Sequence, residues 1–212
     1  MGNNFLQVHA TVSQSTIYGP GERFVIWVQG CTLGCPGCWN IETWKKNGGQ
    51  QRPVQELVEE YEQTGPHEGI TILGGEPLQQ SEACLSLINE VQARNGSVVL
   101  YTGYEPHEFN ESMQSCFDSS DIIITGRYVQ ELRNTNLRWR GSSNQIIHLN
   151  SDRYADLDID EHNEVEIEID HETGLVQVLG YPTLELLEKM ENELGIEVLG
   201  TRAPRLKKSE ET

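Results

Sequence analysis

Cys31, Cys35 and Cys38 stand in the run GCTLGCPGCWN, at the spacing C-x3-C-x2-C, directly after the apolar run Phe24 to Val28. Three thiolates can hold three irons of a cubane cluster and leave the fourth iron open. An open iron binds a substrate or cofactor, whereas a cluster capped by four thiolates mainly carries electrons. The other reading is a zinc knuckle that borrows a fourth ligand, with His67 or Cys84 as candidates. Zinc sites more often show two C-x-x-C pairs, and the sequence holds no second pair. Gly34, Pro36 and Gly37 suit a tight loop wrapped around a compact object.

A second motif, Gly74-Gly75-Glu76-Pro77, follows the apolar run Ile70 to Leu73. Two glycines let a ligand approach the backbone closely, and their carbonyls accept from an ammonium. Glu76 adds negative charge. Taken alone, the same residues also read as an ordinary strand-to-helix turn with Pro77 opening the next helix.

Both motifs need elements to position them. Short apolar runs alternate with stretches of helical period. Pro53 opens a helix pattern with Val54, Leu57, Val58 and Tyr61 on one face, closed by Gly65. Ile70 to Leu73 reads as a strand. A second helix carries Cys84, Leu87, Ile88 and Val91 and ends near Gly96, and Val98 to Tyr101 is a strand. A weaker helix covers Glu105 to Phe117, followed by strands at Ile122 to Ile124 and Gln145 to Leu149. This alternation predicts an α/β fold with a parallel sheet covered by helices. The strands are too few for a closed eight-fold barrel, so a partial, open β/α barrel is expected. In such sheets the working residues lie beyond the carboxyl ends of the strands, where both motifs fall. Cys84 and Cys116, on helical patterns, are expected to be buried small hydrophobes.

The 212 residues carry a net charge of −18, with 36% hydrophobic and 23% charged residues. A sequence-independent nucleic-acid binder needs a basic surface, so neither nucleic acid nor a membrane surface is an expected partner. No run of about 18 apolar residues and no signal-peptide pattern is present. With the cysteines clustered rather than framed for disulfides, a cytoplasmic location is expected. The charge is uneven: residues 1–150 hold 16 acids and 9 bases, whereas residues 151–212 hold 17 acids and 6 bases. That shift predicts a main domain over 1–150 and an acidic C-terminal extension over 151–212, packed on the core. In the extension, Val165, Ile167 and Ile169 alternate with acids, then His171 to Gly174 make a turn into Leu175 to Leu179. This predicts a hairpin with the isoleucine side buried. A short helix over Pro182 to Gly195 would turn Leu186, Leu187, Met190 and Leu194 inward, and the last twelve residues read as loose.

C-x3-C-x2-C after one strand and G-G-E-P after the next resemble the radical S-adenosylmethionine (SAM) superfamily. Within it, YGPGERFVIWVQGCTLGCPGCWNIETW, GGEPL, YTGY and WRGSSNQIIH, in this order over residues 15–150, resemble the activating proteins of anaerobic ribonucleoside-triphosphate reductases. The resemblance implies a [4Fe-4S] cluster and SAM as cofactors, with Cys31, Cys35 and Cys38 as iron ligands. Gly37 and Trp39 would lie against SAM, and Gly74, Gly75 and Glu76 would hold its methionyl ammonium. Arg140, Ser142 and Asn144 would face SAM or the target loop. The implied reaction is reductive cleavage of SAM to a 5′-deoxyadenosyl radical that installs a glycyl radical on a large partner enzyme. Two departures stand out. Thr125-Gly126 replaces the usual Asp-Gly of the family, and some sixty further residues, rich in acids, follow the point where family members end.

Two other functions fit parts of the pattern: a radical SAM enzyme acting directly on a small molecule or peptide, and a metal-binding interaction module without catalysis. The expected reductant is of flavodoxin or ferredoxin type. Such acidic proteins would be repelled at long range by this chain, and Arg127, Arg133, Arg138 and Arg140 form the densest basic stretch to steer one. All cluster and SAM motifs precede residue 151, so the extension is expected to supply specificity rather than chemistry. A valine at position 75 is expected to block SAM while sparing the cluster.

Overall fold

In the computed structural model, residues 4–159, 162, 164–169 and 176–194 are described. The chain opens with a long strand, β1 (Phe5–Ser15), in which Leu6, Val8 and Val12 are buried. β2 (Arg23–Val28) runs antiparallel to it and is buried at all six positions. Then follow β3 (Gln50–Pro53), α1 (Val54–Gln63), β4 (Gly69–Gly74), α2 (Ser81–Gln92), β5 (Ser97–Tyr101), α3 (Glu111–Ser119), β6 (Ile122–Thr125) and β7 (Ile146–Leu149). The strands join into one seven-stranded sheet in the order β3-β1-β2-β4-β5-β6-β7. β2, β4, β5 and β6 are parallel, as the apolar runs predict, while β1, β3 and β7 are antiparallel at the edges. The sheet is therefore mixed. The helix expected over 105–117 is shorter: a 3-10 turn at Pro106–Glu108 precedes α3, whose N-cap Asn110 accepts from the Met113 N–H.

Alternate residues of β2 serve the two faces of the sheet. Phe24, Ile26 and Val28 join Leu57, Ile72, Leu87, Ile88 and Leu100 in a core covered by the helices. Val25 and Trp27 point the other way and pack with Val12, Tyr18, Leu73 and Leu179. Further along this second face, Val99, Ile122 and Ile124 are covered by Trp139 and Tyr154, with Leu157 and Ile159 against them. Thus the acidic stretch after Asn150 spends its few apolar residues on the sheet. Their spacing has no period, which hides them in the sequence.

β8 (Val165–Ile169) and β9 (Val176–Gly180) pair as the expected antiparallel hairpin, and α4 (Leu184–Leu194) follows. Val176, Val178 and Met190 form its small core, with Val165 and Leu186 partly buried against it. The orientation of β8 differs from expectation. Ile167 and Ile169 are 49% and 56% exposed. Glu166 instead faces the main sheet and accepts from the Ser15 hydroxyl (2.6 Å), the Thr16 N–H (2.7 Å) and the Thr16 hydroxyl (2.7 Å). Charge-assisted hydrogen bonds of this kind outweigh a modest apolar gain. The turn at His171–Gly174, the side chain of Leu194 and the last twelve residues fall outside the described residues.

At the amino ends of the parallel strands lies Arg23, fully buried. Its five N–H groups all find acceptors: Thr71 Oγ1, the carbonyls of Pro20, Ile70 and Ser97, and Ser97 Oγ. The Tyr154 hydroxyl, 2.7 Å from Ser97 Oγ, donates to Glu68 Oε1 at 2.7 Å. Burial pushes the Arg23 pKa down, and the nearby Tyr154 and Glu68 oppose that shift. Among the described residues no helix is long and apolar enough to cross a membrane.

Candidate active site

Register explains why the two motifs meet. In the parallel pair β2–β4, Val28 stands opposite Gly74, so both strands end at the same level. The cysteine loop and the Gly74–Glu76 turn then start side by side. The Gly75 N–H donates to the Val28 carbonyl (2.8 Å), and the Glu76 N–H donates to the Gly30 carbonyl (2.9 Å). A Cβ on Gly75 would stand 2.5 Å from the Gly30 oxygen, so only glycine allows this backbone-on-backbone contact.

The cysteine loop is held from both sides. The Gly30 N–H donates to the Thr43 carbonyl and the Cys31 N–H to the Trp44 carbonyl. Gln79 accepts from the Thr32 N–H (3.2 Å) and donates to the Thr32 hydroxyl (2.7 Å). Gly34 and Gly37 take the left-handed conformation at φ 62° and 71° that the turn requires. The three thiols are partly exposed. They line one cavity of about 110 Å³ together with Gly74, Gly75, Glu76, Tyr101, Thr102, Gly103 and Tyr181.

Burial holds the acidic groups of the cavity toward their neutral forms. Burial pushes the Cys31 thiol up, opposed by the N–H groups of Leu33 and Gly34. Burial, then the neighbouring Cys38, pushes Cys35 up, opposed by the Tyr128 N–H and Arg127. A metal at the sulfurs reverses this balance, because coordination deprotonates a thiol outright. Glu76 is buried, and its carboxylate accepts from Leu78 N–H, Thr102 Oγ1 and Gly103 N–H. Burial still raises its pKa to about 7, those three donors opposing the shift.

A stability prediction follows from Glu76. In the unfolded chain it ionises near 4.5, whereas in the fold it keeps its proton up to about 7. The folded state binds more protons between these values, so Glu76 costs stability as pH rises through that window. Relative to Glu76→Gln, cluster-free wild type is expected to lose on the order of 3 kcal/mol between pH 4.5 and 7.5. Urea midpoints of both proteins at the two pH values measure it; an unchanged difference refutes it.

The zinc alternative loses its fourth ligand. His67 precedes β4, at the opposite end of the sheet, where Nε2 lies 3.0 Å from Thr64 Oγ1 and the ring stacks on Tyr61. Cys84 is fully buried and donates to the Pro77 carbonyl, and Cys116 is fully buried likewise. Among the described residues, no three His, Cys, Asp or Glu groups are arranged around one metal ion. The three thiols share a cavity all the same, and a cluster whose irons stand apart takes one thiolate per iron. The donor set therefore fits a four-iron cluster with an open position.

The remaining sequence candidates sit behind this wall. Gly37 packs against Gln130, where a Cβ would meet Oε1 at 2.5 Å. Trp39 carries the Arg133 guanidinium over its ring at 5.2 Å, while its neighbour Asn40 lines the cavity. Ser142 is buried and accepts from the Val129 N–H, and Asn144 donates to the Arg127 carbonyl. Arg140 does not line the cavity; Gln145 does, and its amide bonds to Gly141, Ser142 and Gly126. Thr125, in place of the usual aspartate, pairs with His148 Nε2 at 2.9 Å. Asn40, two residues after Cys38, was legible in the cysteine run itself, whereas Tyr101, Tyr128, Gln145 and Tyr181 escape sequence reasoning because only the tertiary fold brings them to the thiols.

Thiols and a glycine turn at the carboxyl ends of parallel strands define a class, the proteins built around one iron–sulfur cluster. The family described as "4Fe-4S single cluster domain" matches residues 17–148. The anaerobic ribonucleoside-triphosphate reductase-activating proteins of Salmonella typhimurium and Escherichia coli K12 are each 32% identical over 151 residues, covering 68% of this chain and 98% of theirs. That of Enterobacteria phage T4 is 35% identical over 143 residues, covering 64% of this chain and 89% of its own. The chain belongs to the family of these activating proteins, within the radical SAM superfamily. A [4Fe-4S] cluster and SAM are the cofactors of that class.

Proposed function

We propose that this enzyme reductively cleaves SAM at a [4Fe-4S] cluster and installs a glycyl radical on a partner such as an anaerobic ribonucleotide reductase. The observation that carries this reading is that the three thiols and Gly74, Gly75 and Glu76 line one cavity. A cluster and SAM bound there would supply one-electron reductive cleavage of SAM, the electron coming from an external donor, and so the means to remove a hydrogen atom from a glycine Cα of the partner. Cys31, Cys35 and Cys38 would hold three irons. Carbonyls of Gly74 and Gly75 would accept from the methionyl ammonium, and Glu76 would balance its charge. Ser142 and Asn144 act at one remove, fixing the loop that presents Gly126 and Tyr128 to the cavity. Trp39, under Arg133, steadies the chain beyond Cys38.

In this reading the sheet is a partial, open β/α barrel of the radical SAM type. Residues 1–150 form that domain, and residues 151–212 form the acidic extension packed on it. The relatives' name supports a reductase as partner; a cytoplasmic location accords with that role. An electron donor of flavodoxin or ferredoxin type completes the reaction. Arg127 is paired with Glu108 at 2.6 and 2.7 Å, which reduces the positive field available to steer the donor, whereas Arg133, over Trp39, keeps its charge.

Anaerobic reconstitution tests the proposal. One [4Fe-4S] cluster per chain and 5′-deoxyadenosine on reduction with SAM are expected, and Cys35→Ala is expected to abolish both. One tightly held zinc without SAM cleavage overturns the reading. A glycyl radical signal on mixing with the reductase identifies the partner; turnover of a small molecule without any protein partner rejects it.

A further inference from the structure

The C-terminal extension reaches the cavity. Tyr181 lines it together with the thiols. Its ring lies 3.2 Å from where a Cβ on Gly141 would stand, so Gly141 leaves it room. Burial raises its pKa to about 12, with Cys38 and Tyr128 as the charged or titratable neighbours.

Three anchors fix this position. Leu179 is buried on the second face of the sheet with Val25 and Trp27. The Gly180 N–H donates to the buried Tyr18 hydroxyl at 2.8 Å, and Gly180 takes a φ of 95°. The Pro182 carbonyl accepts from Arg133, the residue that covers Trp39 beside Cys38. A cavity of about 110 Å³ is small beside ordinary small-molecule sites. A tyrosine ring on its edge therefore decides what else fits there. The aligned Salmonella protein is covered over 98% of its length by 68% of this chain, and the family match stops at residue 148. The relative thus has no counterpart to about a third of this chain.

We propose that Tyr181 is a wall of the active-site cavity, a specificity-determining residue by which the extension limits access to the cluster. The inference rests on the reading that the thiols hold a cluster. Its test follows bleaching of the reconstituted full-length protein by excess iron chelator, without turnover. Tyr181→Ala is expected to bleach roughly tenfold faster than wild type, because the outer shell governs solvent access to a metal site. Tyr181→Phe is expected to bleach at the wild-type rate, since the ring and not the hydroxyl is the wall. Where Tyr181→Ala fails to fold, Tyr181→Leu carries the test: it keeps apolar packing on Gly141 but is shorter, and should also bleach faster than wild type. A folded Ala or Leu variant that bleaches at the wild-type rate overturns the proposal, as does a Phe variant as fast as Ala. A wild type that takes up no cluster instead removes the reading beneath it.

Discussion

Gly75→Val is expected to cost the protein its cluster as thoroughly as loss of a thiol ligand. A Cβ at this position would stand 2.5 Å from the Gly30 oxygen, 3.0 Å from its carbon and 3.1 Å from its nitrogen. These are backbone atoms just past the end of β2, pinned by the Gly30 N–H bond to the Thr43 carbonyl, and cannot rotate away. Any side chain must part the two loops, breaking the hydrogen bonds from Gly75 N–H to Val28 and from Glu76 N–H to Gly30. Gly30 precedes Cys31, so the first ligand moves with it. The sequence alone suggests that valine meets only the ligand; the structure shows it meeting the cluster loop first. Iron content after reconstitution should fall to the level of Cys35→Ala, and SAM binding should be lost with it. Full iron with lost SAM binding would restore the simpler reading, and retention of both would remove Gly75 from the site.

Arg23→Met is expected to destabilise the fold by about 3–5 kcal/mol, because it strips the donor from several buried acceptors at about 1–3 kcal/mol each. The methionine fills much of the space but donates nothing. It leaves the carbonyls of Pro20, Ile70 and Ser97 without their buried donor. For a chain of this size that corresponds to a fall in melting temperature of roughly 10 °C. Arg23→Lys should be nearly as harmful, because one ammonium has three donors and lacks the planar fork. Thermal unfolding of cluster-free protein measures both variants. A loss under about 1 kcal/mol would mean that water replaces the guanidinium, contrary to the enclosed site seen here.

Much of the site was legible in the sequence because its chemistry is carried by contiguous residues. The thiol loop and the Gly74–Glu76 turn each lie within nine residues, and alternating apolar runs place them at strand ends. The four parallel strands and three covering helices were legible for the same reason. β1 left a signal that the apolar runs obscure: Leu6, Val8, Ala10 and Val12 alternate, but polar neighbours interrupt the run. β3, almost wholly polar at the sheet edge, left none. Arg23 reads as one more surface cation, since its acceptors lie as far away as Ser97. The hairpin shows how period can mislead. Alternation in β8 separates two faces but does not say which is inward, and the partners of Glu166 sit 150 residues earlier. Tyr181 was hidden likewise, its neighbours Cys38 and Gly141 being far off in sequence.

The segment after Asn150 touches the rest of the molecule at both ends of the sheet, through Tyr154 beside Arg23 and through Tyr181 at the cavity of the thiols. The segment is seated by Ser97 and Glu68, which receive Tyr154, by Tyr18, which meets Gly180, and by Gly141, which leaves room for the ring. Tyr18 and Gly141 stand in the stretches that resemble the shorter activating proteins, so that part of the chain offers a ready seat, and the tail adds to it the Gly180 N–H and the Tyr181 ring.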